Sequence, residues 1–192
     1  NAYDNGMGRL PPMGWNTWCT DDLCGIIDRC TDSEIRSIAD AFVAEGMDKL
    51  GYKYIVMDDC WSSKNRTADG ELMPAPSQFP NGMKALADYV HSKGFYLGLY
   101  TCVGTETCHG GRPGSFGHFE QDAKTVAGWG IDFVKADNCN RPSIGEPVRN
   151  FYKNFSAALN ATGRPILFNT CEWGEDDVLT WGYEVAQQIR VQ

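Results

Sequence analysis

The sequence predicts an α/β protein of the (β/α)8 TIM-barrel type, and its 192 residues provide about five to six of the eight β/α units. Four segments follow one plan, in which a glycine precedes an apolar run that ends on polar residues and a cysteine: "LGYKYIVMDDC", "KGFYLGLYTC", "WGIDFVKADNC" and "TGRPILFNTC". A short apolar run between turn signals is typical of a buried parallel strand. The glycines recur at intervals of 43, 36 and 33 residues, which suits one strand and one helix per repeat; they are Gly51, Gly94, Gly130 and Gly163.

Helical patterns fill the segments between the predicted strands. Thr31 and Glu34 have the spacing of a capping box, and the apolar residues after them recur with a period near 3.6 until Gly51, which we expect to end the helix. Similar spacing marks three further helices, at Leu86, Ala87 and Val90, at Ala123, Val126 and Ala127, and at Val148, Phe151, Tyr152, Phe155 and Leu159. The stretch "PPMGWNTW" predicts a first strand and "QQIRVQ" a sixth.

A doubly wound open sheet is the competing architecture. Such a sheet carries a glycine-rich phosphate loop after its first strand, and this sequence has none there. The predicted strands end on polar residues, which favours a barrel, because barrel active sites gather at the carboxyl ends of the strands. An eight-unit barrel typically needs about 250 residues. This chain supplies five predicted strands and the beginning of a sixth.

Composition and cysteine content indicate the class of protein. The formal net charge of −8 and the absence of a basic run argue against nucleic acid or an anionic membrane as a partner, and no apolar stretch is long enough to span a bilayer. Eight cysteines favour an oxidising compartment, and three glycosylation acceptors, Asn65, Asn154 and Asn160, point the same way. The start at Asn1, without a methionine or a signal peptide, suggests a processed protein. We expect secretion, or a vacuolar or lysosomal location; the oligomeric state is not predicted.

The carboxyl ends of the predicted strands bring carboxylates and aromatic rings to one mouth. The candidate site residues are Trp15, Asp58, Asp59, Tyr100, Lys135, Asp137, Cys171, Glu172 and Trp173. Carboxylates accept hydrogen bonds from vicinal hydroxyls, and aromatic faces pack on the apolar side of a sugar ring. A neutral carbohydrate is therefore the expected ligand.

Lys135 and Asp137 are two positions apart at the end of a buried strand, so both side chains are expected to face one space. A buried charge pair is often no more stabilising than apolar packing, which suggests a functional reason for it. Two chemistries are open. Lys135 could form a Schiff base if burial made its amine neutral, or Asp137, kept ionised by the lysine, could attack an anomeric carbon. The composition of the mouth favours the second.

Other chemistries have less support in the sequence. His91 lies in an amphipathic helix pattern and is expected to be solvated, while His109 and His118 match no metal-ligand spacing. There is no GxSxG nucleophile elbow. We therefore predict no metal and no cofactor, and we expect the cysteines to form disulfides rather than a zinc site.

Six motifs carry a family resemblance. The stretches "MGWNTW", "MDDCW", "ADYVHSKG", "LGLY", "RPGSFGHFEQDAKTVAGWGIDFVKADNC" and "CEWG" resemble glycoside hydrolase family 27, the α-galactosidase and α-N-acetylgalactosaminidase family, from about Asn5 to the last residue. The resemblance implies a retaining α-glycosidase that works by double displacement. Asp137 of "KADNC" would be its nucleophile.

The resemblance also implies substrate contacts. Asp58 and Asp59 would hold the hydroxyls that distinguish galactose from glucose, and Lys135 would contact hydroxyls as well. Further contacts would come from Trp15, Tyr100, Arg190, the cysteines Cys108 and Cys139, and Cys171, Glu172 and Trp173 of "CEWG". The bulk of Cys171 and Trp173 would favour galactose with a free 2-hydroxyl over N-acetylgalactosamine.

The disulfides implied by the resemblance are Cys108–Cys139, Cys24–Cys30 and Cys19–Cys60, with Cys102 and Cys171 unassigned.

The chain departs from the family pattern in two ways. Ala136 replaces an aromatic residue between lysine and nucleophile, and only a packing change is expected from it. By the resemblance, the general acid/base would lie four positions after Arg190, beyond Gln192. The last strands of the barrel and a C-terminal β-domain are also implied beyond Gln192. Three interpretations follow: the N-terminal part of an α-galactosidase, which is favoured, a catalytically incomplete, lectin-like galactoside-binding module, and a Schiff-base barrel enzyme.

Overall fold

The computed structural model describes residues 4–18 and 30–190, and its centre is one parallel sheet. The strands are β1 (Gly14–Asn16), β2 (Tyr54–Met57), β3 (Tyr96–Cys102), β4 (Phe133–Asp137), β5 (Leu167–Cys171) and β6 (Gln188–Arg190). They pair in chain order, each parallel to the next. Six parallel strands in sequential order form a half-barrel, which confirms the predicted fold class of an incomplete (β/α)8 barrel.

Four helices connect these strands and cover the outer face of the sheet. They are α1 (Asp32–Ala44), α2 (Gly82–Ser92), α3 (Phe119–Trp129) and α4 (Val148–Ala161). The predicted capping box is present at the start of α1, where the Thr31 hydroxyl accepts from the Glu34 backbone N–H and the Glu34 carboxylate accepts from the Thr31 backbone N–H. The main hydrophobic core lies between helices and sheet. None of the described helices has the length and apolar character to cross a bilayer.

The first predicted helix is too long at its C-terminal end. Helix α1 stops at Ala44, and Gly46 follows in the left-handed region with φ 68°. A short 3-10 helix, Met47–Leu50, comes next, and Gly51 ends that helix rather than α1. The apolar spacing overestimated the helix because Leu50 is exposed rather than part of the buried face.

His91 was expected to be solvated, and the structure pairs it instead. Its Nε2 lies 2.7 Å from Oδ2 of the buried Asp132. The same carboxylate accepts from the backbone N–H of Leu97 at 2.9 Å and from Arg164 at 2.5 Å. This network joins the end of α2 to the segments that enter β3, β4 and β5, at the end of the sheet opposite the predicted site.

Strand register decides which side chains enter the barrel. Val56, Phe133 and Leu167, on β2, β4 and β5, form a small interior cluster. Because side chains alternate along a strand, Lys135 and Asp137 share that interior face with Phe133. The structure thus places both charged groups at the carboxyl end of the barrel interior.

Gly104, just after β3, allows the loops that follow β3 and β4 to touch. A Cβ at this position would lie 2.0 Å from the carbonyl oxygen of Cys139 and 2.5 Å from backbone atoms of Asn140. We expect Gly104→Ala to lower the free energy of unfolding by about 3 kcal/mol in urea titrations, because backbone atoms cannot move aside. The matched control is Gly128→Ala inside α3, where a Cβ meets nothing within 4 Å and a gain of about 0.5–1 kcal/mol is expected. Equal stability of the two variants would contradict the prediction.

Candidate active site

An open cavity of about 380 Å³ lies at the carboxyl ends of the strands. Its lining residues are Trp18, Asp58, Asp59, Tyr100, Cys108, His109, Lys135, Asp137 and Arg190. All of these except Trp18 and His109 were predicted from the sequence. Carboxylates, two cations and aromatic rings surround this open space, a lining suited to a small polar ligand.

Asp137 is held in a fixed orientation. Its Oδ1 accepts from the indole Nε1 of Trp173 at 2.7 Å and from the backbone N–H of Asn138 at 2.9 Å. Its Oδ2 accepts a longer bond, 3.4 Å, from the hydroxyl of Tyr100. Two donors thus fix one oxygen of a buried carboxylate, while the other oxygen is more weakly held beside the cavity.

Lys135 forms its ion pair with Asp58. The ammonium lies 2.7 Å from Asp58 Oδ2, and both side chains are largely buried. Asp58 Oδ1 accepts in turn from the backbone N–H of Asp59. The ammonium also lies 5.0 Å from the centre of the Tyr100 ring, within cation–π range. A Schiff base at Lys135 would require the amine to leave this ion pair.

Asp59 is a buried carboxylate in the lining of the cavity. Its Oδ2 accepts from the backbone N–H of His109 at 2.9 Å, and its Oδ1 is buried. Desolvation by burial raises the pKa of this carboxyl, and the bond from His109 and the nearby Thr107 hydroxyl oppose that effect. The carboxylate is therefore held from the side of the Thr107–His109 loop.

The raised pKa of Asp59 has a consequence for stability. A carboxyl whose pKa is higher in the folded state binds its proton more tightly there. The folded state therefore loses stability as the pH rises from the pKa of the unfolded state through the higher pKa of the folded state. We expect the stability of the wild type relative to Asp59→Asn to decline with rising pH above 3.8. Urea unfolding of both proteins at several pH values measures this difference; a relative stability that increases over this range would contradict the assignment.

Trp15 does not line the cavity. It lies level with Ile55 in the register of β1 and β2 and packs against the core between sheet and helices. Trp18 takes its place, with 46% of its surface exposed and its ring 5.9 Å from the Lys135 ammonium. The sequence already indicates this correction. Residues an odd number of positions apart on a strand face opposite sides, and Trp18, just after β1, is three positions after Trp15.

Glu172 is also turned away from the cavity. It follows Cys171, which has the interior position at the end of β5, and is completely buried on the other side. Its Oε1 accepts from the backbone N–H of Asp176 at 2.8 Å, within the loop that carries Trp173. Cys171 lies just behind the cavity, with its sulfur 3.2 Å from Arg190 Nη1. Of the "CEWG" residues, Trp173 donates to Asp137, and the Cys171 thiol also interacts with that carboxylate.

His109 is a site residue that the sequence analysis missed. It was considered only as a metal ligand, whereas its backbone N–H holds Asp59 and the residue lines the cavity. Its neighbour Cys108, already implicated by the resemblance, was the available signal. His118 lies elsewhere, with its ring bonded to Gln121.

Two disulfides are present in the described residues, Cys108–Cys139 and Cys30–Cys60. The first is the pair that the resemblance implies. The second corrects the implied Cys24–Cys30 and Cys19–Cys60, because buried Cys30, just before α1, lies with its Cα 5.7 Å from that of Cys60 after β2. Cys19 and Cys24 lie outside the described residues.

The two remaining described cysteines, Cys102 and Cys171, are buried free thiols. Burial raises the pKa of Cys102 to about 12 and that of Cys171 to about 11. Both are therefore protonated near neutral pH.

One group of potential metal donors occurs in the described part of the chain, formed by Cys108, Asp137 and Cys139. The two sulfurs share a disulfide and cannot act as thiolate ligands. This group is therefore not suited to hold a metal ion.

Comparison with known proteins places the chain in a family. The family model for alpha galactosidase A matches residues 10–187. An alpha-galactosidase from Coffea arabica is 52% identical over 186 residues, which cover 97% of this chain and 47% of the relative. The alpha-galactosidase I structure from Mortierella vinacea superposes with a TM-score of 0.90 at 37% identity, over 99% of this chain and 47% of that one. The Saccharomyces cerevisiae alpha-galactosidase structure with raffinose gives a TM-score of 0.88 at 39% identity, over 97% and 40%.

The chain spans less than half the length of each of these relatives. The family-model match nevertheless includes strands β1 to β5, the four helices and every cavity residue except Arg190. The family model, the relatives and the solved structures each match most of this chain. The chain therefore belongs to the alpha galactosidase A family of glycoside hydrolases.

Proposed function

We propose that this protein contributes the nucleophile and the sugar-binding half of a retaining α-galactosidase that removes terminal α-linked galactose. The observation that carries the proposal is the set of hydrogen bonds that hold the Asp137 carboxylate beside the cavity. Its Oδ1 accepts from Trp173 and Asn138, which leaves Oδ2 as the oxygen that attacks from the side of the cavity.

The reaction would proceed in two displacements. Asp137 Oδ2 forms a bond to the anomeric carbon as the bond to the leaving oxygen breaks, and a carboxylic acid protonates that oxygen. The resulting carboxylate then takes a proton from water, whose oxygen attacks the anomeric carbon and releases Asp137. By the family resemblance, this second carboxyl group is the aspartate four positions after Arg190.

We further propose that residues 1–192 are the N-terminal part of the catalytic domain. The support is that the chain covers at most 47% of the relatives compared above. The remaining barrel strands and a C-terminal β-domain would come from further sequence, and hydrolysis would belong to the longer chain.

Galactose is the proposed sugar because of the polar groups in the cavity. Asp58, paired with Lys135, and the buried Asp59 offer acceptors for adjacent hydroxyls. The related yeast structure was solved with raffinose, a galactoside, which supports this sugar class. The bulk of Cys171 and Trp173 beside Asp137 and Arg190 favours a free 2-hydroxyl over an acetamide, and hence galactose over N-acetylgalactosamine.

Galactoside binding without hydrolysis is the second candidate function. The observation in its favour is that the described residues alone form the cavity with Asp58, Asp59 and Lys135. A Schiff-base enzyme is disfavoured by the Lys135–Asp58 ion pair, and borohydride trapping of a carbonyl substrate on Lys135 would be needed to revive it.

An activated aryl α-galactoside tests the proposal, because its leaving group departs with little help from an acid. We expect release of the aryl group and binding of free galactose, with the matching α-glucoside and α-N-acetylgalactosaminide poor substrates. Galactose binding without aryl release would favour the binding module. Failure to bind galactose would contradict both functions.

A secretory route, to the cell exterior or to the vacuole or lysosome, is also proposed. Its support is the presence of two disulfides together with three exposed acceptor asparagines. Asn65 lies in the loop after β2, and Asn154 and Asn160 lie on the solvent side of α4.

A further inference from the structure

Two successive backbone N–H groups hold two cavity side chains in place. The N–H of Cys108 donates to the hydroxyl of Tyr100 at 3.3 Å, and the N–H of His109 donates to Asp59 Oδ2 at 2.9 Å. Tyr100 in turn donates to Asp137. The loop segment Cys108–His109 therefore contacts both the proposed sugar-binding carboxylate and the partner of the proposed nucleophile.

A disulfide fixes this segment. Cys108 is bonded to Cys139, two residues after Asp137, with the Cα atoms 5.0 Å apart. Weaker contacts support the same junction, since Asn140 Nδ2 donates to the carbonyl of Thr107 at 2.9 Å. The loop after β3 is thus covalently attached to the loop after β4, next to the reacting centre.

We propose that the Cys108–Cys139 disulfide is a positioning element of the galactoside site, which orients Asp59 and Tyr100 through the N–H groups of His109 and Cys108. This inference rests on the proposed function. Without the covalent link the segment gains conformational freedom, and the N–H of His109 is no longer held against Asp59. Asp59 would then lose the donor to Oδ2, and with it the orientation of its carboxylate for a sugar hydroxyl.

The Cys108–Cys139 disulfide can be reduced separately from Cys30–Cys60 because the two differ in exposure. Cys108 is exposed, whereas Cys30 and Cys60 are buried in the core. A dithiol reductant therefore reaches Cys108–Cys139 first; it transfers two electrons and two protons to the sulfur pair and is itself oxidised to a disulfide. The nearby Cys102 is a protonated thiol that donates to the carbonyl of Cys139, and so is not an attacking thiolate.

The test is a comparison of galactose affinity in the oxidised and the selectively reduced protein. Alkylation and peptide mass mapping show which cysteines were reduced, and calorimetry gives the Kd for galactose. We expect reduction at Cys108 and Cys139 alone to raise the Kd about tenfold, the loss of roughly one hydrogen bond to a charged group. The double variant Cys108→Ser/Cys139→Ser, which keeps both backbone N–H groups, is expected to show the same loss without reductant.

A double-mutant cycle distinguishes positioning from general loosening. In an Asp59→Asn/Tyr100→Phe background, removal of the disulfide should raise the Kd less than about twofold, because both groups through which it acts are already altered. An equal loss in both backgrounds, or an unchanged Kd after confirmed reduction of the wild type, would overturn the inference while leaving the proposed function intact. Failure of the oxidised wild type to bind galactose would overturn both.

Discussion

In the longer chain that carries the acid/base, replacing Asp137 with asparagine is expected to lower kcat for an aryl α-galactoside about 10⁴-fold or more, while galactose binding stays measurable. The asparagine keeps an oxygen that can accept from Trp173 Nε1 and the Asn138 N–H, so the geometry of the site survives. Only the nucleophilic carboxylate is lost, and removal of a nucleophile typically costs this much. Steady-state kinetics and calorimetry on the same protein separate the two effects.

Two controls sharpen this prediction. Asp88→Asn alters an exposed carboxylate on α2 that pairs with Lys84, away from the cavity, and should leave kcat unchanged. Asp137→Ala in the presence of azide should yield a β-galactosyl azide, because the small anion occupies the space of the carboxylate and attacks from the same side. Turnover of Asp137→Asn at the wild-type rate would show that another group is the nucleophile.

Replacing Lys135 with methionine is expected to cost about 3–5 kcal/mol of stability, the largest loss that we anticipate for a site residue. Asp58 would remain as a buried carboxylate, about 3% exposed, without the cation now 2.7 Å away. An unpaired buried charge costs more than the ion pair contributes. Urea unfolding of the variant measures the loss.

The double variant Lys135→Met/Asp58→Asn tests this explanation. We expect it to regain most of the lost stability, because no buried charge is left without a partner, yet to bind galactose poorly, because both groups line the cavity. The matched surface control is Lys84→Met, which breaks an exposed pair on α2 and should cost about 0.3–0.5 kcal/mol. If the double variant were as unstable as Lys135→Met, the loss would have another origin, such as packing of the lysine stem.

The predicted fold depended on repeated local signals, and these were sufficient. Strands β2 to β5 are apolar runs after a glycine, and each of the four helices has an apolar face, so the order of these elements is contained in the sequence. Parallel strands in chain order bring their carboxyl ends together, and this alone placed Asp58, Asp59, Tyr100, Lys135 and Asp137 around one cavity. The errors in local structure were at element ends, as with the helix that stops at Ala44 instead of continuing to Gly51.

Two of the corrected site residues show where local patterns fail. Trp15 and Glu172 belong to motifs at strand ends, yet each lies on the outer side of its strand. Neighbouring residues of a strand face opposite sides of the sheet, so a shift of one position reverses the side. A motif alone therefore does not tell which of its side chains faces the barrel interior. Trp18, which does line the cavity, became evident only from the folded chain, whereas Trp173 was predicted from the sequence and donates to Asp137.

The sequence by itself determined the order of strands and helices, the family, and the strand ends from which the site is built, because these depend on periodicity and on motifs a few residues long. Only the tertiary structure decided which groups are partners. Lys135 pairs with Asp58, 77 residues away, instead of simply facing Asp137, and Cys30 is bonded to Cys60. The N–H of His109 holds Asp59 from a loop 50 residues further along the chain. Such contacts depend on how the strands are aligned and on where the loops above them meet, and no local pattern encodes that distance.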